Sequence, residues 1–434
     1  RTACANSSSA EALIKCTENA SATPSITDTM AAALRQGWWR SSCQEKLHSS
    51  DARVFIGETD CARAPGGAVK ICGHSHHRMS HRISHRLAHC LAHRLAHLFT
   101  ALALACSASL ASAAELRVLT HASFALPQPL LTQFEKDAGV TLRISKAGDA
   151  GEMLNKLILT RANPVADVVF GIDNVLAAKA QAAQVLDADA GASARLASDG
   201  DKLAGTLPAA LLPVDYGYVT LNYDKAWFAR KGLPLPTTLE DLAQPAYAGL
   251  LVVQNPATSS PGNAFLLATI GAMGEENAFA WWGRMRANGL KVANGWNEAY
   301  YTEFSHNGGS RPLVVSYASS PAAEMFYSKT QLSEPPTGSL FLRGGVFRQV
   351  EGVALVKGGK ERAAALRFMV FLRSAAVQQA LQTTMWMYPA DASTPRVDAM
   401  RHAPEPTAFA SPDAQAIADH GADWVRRWTR IVLK

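Results

Sequence analysis

The chain has 434 residues, is 48% hydrophobic and carries a formal net charge of +6, long enough for two or three domains. The charge is unevenly placed: residues 1–114 hold 12 Lys+Arg against 7 Asp+Glu, and residues 115–434 hold 30 against 29. The body is therefore near neutral and lacks the basic footprint of a nucleic-acid binder, and no apolar run reaches the ~20 residues of a membrane span.

The N-terminal quarter differs from the rest. All seven cysteines (Cys4, Cys16, Cys43, Cys61, Cys72, Cys90 and Cys106) precede residue 107, so the body can fold in an oxidising compartment without disulfide shuffling. Residues 1–75 are rich in Ser, Ala and Thr, lack periodicity and do not begin with Met; they are expected to be an upstream, disordered extension. Residues 76–113 read as a secretory signal peptide. His-Arg repeats run from His77 to His97, an apolar stretch from Leu98 to Leu110 follows, and Ala111-Ser112-Ala113 is an A-x-A exit. Cleavage is expected near Ala113–Ala114, with export to the periplasm; Ala103-Leu104-Ala105 before Cys106 is a poor lipobox. His77, His81, His85, His89 and His93 would stack on one helix face as metal ligands could, but an expanded basic segment removed with the signal accounts for them.

In the body, residues 115–120 alternate as a strand, 129–138 have helical spacing, and 140–144 form a second strand. Residues 152–159 read as an amphipathic helix and 166–171 as a buried strand. Strands follow at 218–222 and 250–253, then helices near 261–272 and 275–288. A strand at 313–317 precedes a helix from Pro321. Residues 349–356 form a return strand, helices occupy 359–373 and 374–382, and a Trp-rich helix ends the chain. Strands alternating with helices at this spacing predict an α/β protein with parallel sheets. About 320 residues exceed one comfortable core, so two lobes are expected: residues 114–213 plus 349–388, and 214–348 plus 389–434. Ligands of open α/β sheets sit at the carboxyl ends of strands.

Polar and aromatic motifs fall at those ends: Gly171-Ile172-Asp173-Asn174, Asp215-Tyr216-Gly217-Tyr218, Thr258-Ser259-Ser260-Pro261-Gly262, Gly295-Trp296-Asn297-Glu298-Ala299-Tyr300 and Trp386-Met387-Tyr388-Pro389. As an ordered set, from about Leu116 to the C-terminus, they resemble the thiamine-binding periplasmic proteins of thiamine importers. The resemblance implies the type II periplasmic binding fold, two α/β lobes around a ligand cleft. It also implies capture of thiamine or a thiamine phosphate for an ABC permease with a separate ATPase, by a monomeric non-enzyme without cofactor or metal. Trp296, Tyr317 and Trp386 match aromatic positions of the family's site, Asp149 its acidic position and Ser259 its polar loop. His121 and Asp173, after the first and third strands, complete the expected set. The chemistry agrees: thiamine carries a permanent thiazolium cation and a flat aminopyrimidine, which call for ring faces, a carboxylate and a few placed hydrogen bonds. Two departures stand out. The first loop, His121-Ala122-Ser123-Phe124, lacks the Tyr and nearby Trp of some members, and Ala323 stands at a second aromatic position.

Plain structural roles compete with these assignments. Asp149 and Asp173 could cap the helices that follow them, and Glu298 and Tyr300 could be structural. Trp281, Trp282, Trp424 and Trp428 have helical spacing and read as core. A ferric-binding protein of the same fold is one alternative, through Tyr300, Tyr301 and His121, although adjacent helical positions point about 100° apart. A secreted hydrolase is another, but the body lacks a Gly-x-Ser-x-Gly or His-Glu-x-x-His motif, and no Walker-type phosphate loop is present.

Overall fold

The structure, a computed structural model, describes residues 114–187, 203 and 205–434. The expected extension, the His-Arg repeats and the cleavage region lie outside the described residues. Ala114–Thr120 forms β1, Val140–Lys146 β2 and Val168–Asp173 β3. Helices Gln128–Ala138 (α1) and Ala150–Leu159 (α2) cross between them. Gly139, at φ 64°, ends α1 in the left-handed conformation that suits glycine. β1 pairs in parallel with both β2 and β3, as a strand–helix–strand alternation requires. Every residue of β3 is buried, as expected of a strand covered on both faces.

After the short helix Ala177–Ala182 (α3), Leu212–Asp224 forms β4. Leu251–Gln254 (β5), Ser260–Met273 (α4), Glu275–Ala287 (α5) and Lys291–Ala293 (β6) follow. Then come Leu313–Tyr317 (β7), Ser320–Tyr327 (α6), Thr337–Leu340 (β8) and Phe347–Leu355 (β9). Arg362–Leu372 (α7), Ala375–Thr384 (α8), Tyr388–Pro389 (β10) and Ala414–Val432 (α9) complete the chain. The strand order is β2-β1-β3-β9-β4-β7-β5-β6, with β8 and β10 also on β4. Parallel pairing holds on both flanks, β2-β1-β3 and β7-β5-β6, while β9 and β4 run antiparallel between them. Two α/β halves are thus joined through crossing strands, the two-lobed architecture of type II binding proteins.

The helical tryptophans are core. Trp281 and Trp282 are 0% and 1% exposed, and their indole N–H groups reach the Leu239 carbonyl and the Thr269 hydroxyl. Trp428 of α9 meets Trp282 edge-on at 5.5 Å. A separate core fills the first half, around Leu116, Phe134, Phe170 and Phe368.

Candidate functional site

Strand ends from both halves meet in one open cleft of about 970 Å³, a volume that includes space open to solvent. The first half contributes the loop after β1 (His121, Ser123) and the start of α2 (Asp149, Ala150). The second contributes the start of α4 (Ser260, Pro261), Trp296, Tyr300 and Tyr301, and, from α6, Ala323, Glu324 and Tyr327. Crossing strand β9 supplies Gln349 and Glu351, and the turn after α8 supplies Met385, Trp386 and Met387.

The rings fall in two clusters, Trp296 with Tyr300 and Tyr301, and Trp386 with Phe326 and Tyr327. Trp296 stacks on Tyr300 at 4.9 Å with 16° between planes, and its Nε1–H donates to the Ser316 hydroxyl at 2.8 Å. This leaves Trp296 half-buried and fixed in orientation. Trp386 meets Phe326 and Tyr327 edge-on at 5.4 and 5.8 Å. Its backbone is left-handed, φ 58°, which costs a non-glycine residue about 1–2 kcal/mol. Its buried Nε1–H has no partner. Strained non-glycine backbone of this kind clusters at functional sites. Tyr317, at the end of β7, donates its hydroxyl to Gln349 Oε1 at 3.1 Å. Burial, together with nearby Glu351, Asp149 and Asp173, raises its pKa well above the usual tyrosine value.

Asp149 borders the cleft with both oxygens engaged. Oδ1 accepts the Ala150 N–H at the start of α2, and Oδ2 accepts the Trp296 N–H at 3.1 Å from the opposite half. The Glu152 N–H donates to the Thr258 carbonyl across the same gap at 3.2 Å. Gly151 permits this approach, because a Cβ there would lie 2.6 Å from that carbonyl oxygen. Asp173 lies outside the cleft lining. Its Oδ1 accepts from the Val175 and Leu176 N–H groups, and Oδ2 accepts from the Ser260 hydroxyl. Burial, with Glu351 nearby, pushes its pKa up to about 8. Ser259 is buried and its hydroxyl unpartnered, but the neighbouring Ser260 is the serine that borders the cleft. His121 borders it 6% exposed, with Nε2 3.6 Å from Glu351 Oε2. Gly171, at φ 99°, leaves room for the imidazole, since a Cβ there would sit 2.2 Å from its Cδ2.

The structure adds lining residues that sequence reasoning passed over, Glu324, Tyr327, Gln349 and Glu351, and places there Tyr300 and Tyr301, which it had weighed only as iron ligands or structural residues. Tyr300 and Tyr301 both border the cleft although they are adjacent, their rings 84° apart. They lie on the π-helical turn Ala299–Glu303, a distortion common at functional sites that no sequence motif announced. The Tyr300 hydroxyl donates to Glu324, and burial raises the Tyr300 pKa well above its usual value, holding the phenol protonated. Ser260 donates to Asp173, not to a histidine, and the Ser316 and Ser320 hydroxyls pair with each other. Asp149, Glu324 and Glu351 line the cleft with no Lys or Arg among its lining residues, so its electrostatics favour a cation.

Residues 163–420 match the family model of bacterial extracellular solute-binding proteins. The thiamine-binding periplasmic protein of Salmonella typhimurium is 30% identical over 348 residues, 77% of this chain and 99% of that one. A solved periplasmic thiamin binding protein superposes with a TM-score of 0.64 at 29% identity, over 73% of this chain and 96% of that one. The ferric binding protein from Campylobacter jejuni shares the fold alone, with a TM-score of 0.57 at 18% identity over 73% of this chain and 99% of that one. The chain belongs to the family of bacterial extracellular solute-binding proteins that includes the thiamine-binding periplasmic proteins.

Proposed function

We propose that this protein captures thiamine, or a thiamine phosphate, in the periplasm and presents it to an ABC permease driven by a separate ATPase, as a monomer and without catalysing a reaction. The observation that carries this reading is the composition of the cleft: ring faces from Trp296, Tyr317 and Trp386 around a floor lined by carboxylates and free of Lys and Arg. A flat cationic heteroaromatic ligand gains about 0.5–2 kcal/mol from each ring face and meets no like charge. The names of the relatives and of the solved neighbour support the same ligand.

In this reading Trp296 and Trp386 clasp the ligand from the two sides of the cleft, while Asp149 ties the two halves together through the Trp296 N–H. His121, Ser259 and Asp173 support the wall, with Ser260 bordering the cleft and its hydroxyl held by Asp173. Native mass spectrometry of the purified protein with added thiamine tests the reading. One bound thiamine per chain is expected, with no tyrosinate–iron colour on adding ferric ion. A visible iron band without a thiamine adduct would favour the iron-binding alternative instead.

A further inference from the structure

Three carboxylates lie side by side on the central strands beneath the ligand cleft. In the sheet register Asp173 of β3 stands opposite Glu351 of β9, and Glu351 stands opposite Asp215 of β4. Directly paired residues share one sheet face with neighbouring Cβ atoms, and like charges in such pairs are destabilising. All three side chains are buried, Asp173 and Asp215 at 0% exposure and Glu351 at 4%. Only Glu351 of the three borders the cleft.

The row is short of donors. Asp173 is satisfied by the α3 backbone and Ser260. Glu351 accepts one hydrogen bond, from the Gln349 amide at 3.2 Å. Neither oxygen of Asp215 receives a hydrogen bond, and the carboxylate beside it is that of Glu351. Two carboxylates in contact can share a hydrogen bond only when one holds a proton. His121 also borders the cleft, buried, with its Nε2 lacking a hydrogen-bond partner and facing Glu351 at 3.6 Å. The other titratable groups turned toward this floor are Asp149 from the start of α2 and Tyr317 from β7, whose phenol is pushed up by burial and by the nearby Glu351, Asp149 and Asp173. No Lys or Arg lines the cleft, and the basic group facing the row is His121, whose pKa Glu351 raises against its burial.

We propose that Glu351, backed by Asp215 and Asp173, reads the positive charge of the ligand at the cleft floor, and that a proton held by this row leaves to solvent as the cation arrives. The inference rests on the proposed thiamine-binding function and deepens it, assigning the charge-selective contact to Glu351 where Asp149 already has both oxygens bonded. Burial beside a like charge is what keeps a proton on such a row at neutral pH, in keeping with the raised values at Asp173 and Asp215. A cation close to Glu351 reverses that balance. Binding then releases a proton, and affinity rises with pH through the neutral range. Selectivity follows: an uncharged ligand of the same shape leaves the proton in place and gains nothing from the floor.

The test is calorimetric titration of the full chain in two buffers of different ionisation enthalpy. The ligands are thiamine and its uncharged thiophene isostere, in which carbon replaces the charged ring nitrogen. The parent should release a proton on binding thiamine and none on binding the isostere. Glu351→Gln should lose about tenfold or more in thiamine affinity, keep its affinity for the isostere, and release no proton. Asp215→Asn keeps Glu351 in place and should reduce the proton release with a smaller loss of affinity, so it carries the test if Glu351→Gln does not fold. Thiamine binding by the parent without proton release and without preference over the isostere would overturn the inference. So would an unchanged thiamine affinity in Glu351→Gln. Failure of the parent to bind thiamine at all would instead overturn the proposed function.

Discussion

The two ends of strand β3 hold buried aspartates in opposite circumstances. Asp167, immediately before the strand, is 2% exposed and fully answered: the Arg117 guanidinium bonds both its oxygens at 2.6 and 3.0 Å, and the Arg117 and Lys360 N–H groups add two more bonds. These donors, the Arg117 side chain first among them, outweigh burial and hold its pKa below the ordinary carboxylate value. Asp173, at the cleft end, has no Lys or Arg bonded to it and a carboxylate opposite, and burial pushes its pKa up to about 8. The sheet thus pairs one buried acid with a guanidinium and answers the other, beneath the cleft, with backbone N–H groups and a serine hydroxyl. A buried acid without a counter-ion is costly, and such sites cluster where function needs them.

The largest effect should come from breaking the satisfied end. Asp167→Ala leaves Arg117 without its partner and should cost about 3 kcal/mol, the lower end for a broken buried pair because Arg117 is partly exposed. Urea unfolding measures it, and thiamine affinity in the folded variant should not change. The next effect lies on the cleft rings. Trp296→Ala and Trp386→Ala should each weaken thiamine about ten- to a hundredfold while leaving the fold intact; parent-like affinity in both would mean the site is misplaced.

Stability against pH sharpens the contrast between the ends. Asp167, with its depressed pKa, contributes stability at neutral pH that is lost in acid as the group protonates. Asp173 works in the other sense: the folded chain keeps a proton that the unfolded chain has already released, so stability declines as pH rises from about 4 to about 8. Denaturation midpoints across pH should show both limbs. Asp173→Asn should flatten the upper limb only in part, because Asp215 is raised too; an unchanged upper limb would remove Asp173 from the account. Asp149→Asn should have a smaller effect, about 1 kcal/mol in stability, since the amide offers one acceptor oxygen where the carboxylate answers both the Ala150 and the Trp296 N–H. The smallest is expected from deleting residues 1–113, which should leave the melting temperature and thiamine affinity as they were.

Much of this was legible in the sequence. The alternation in residues 115–120 and the buried run at 166–171 identified β1 and β3, because burial on one or both faces writes a period directly into the residues. The helical spacing of Trp281, Trp282 and Trp428 separated core rings from cleft rings. Of the seven expected site residues, His121, Asp149, Trp296, Tyr317 and Trp386 border the cleft, while Ser259 and Asp173 sit behind it. What the sequence hid was pairing. Glu351 lies in an apolar return strand, and only the register of β9 against β3 and β4 brings three acids together. The cross-cleft bond from Trp296 to Asp149 and the π-helical turn at Ala299–Glu303 likewise depend on contacts distant in the chain. Local propensity carries no record of such contacts.

The most direct test of the account is a calorimetric titration of the purified chain with thiamine, repeated on Trp386→Ala. The account predicts one site per chain in the parent and a marked loss of affinity in the variant, with both proteins equally folded. No heat of binding in the parent, or the same affinity in both proteins, would contradict it.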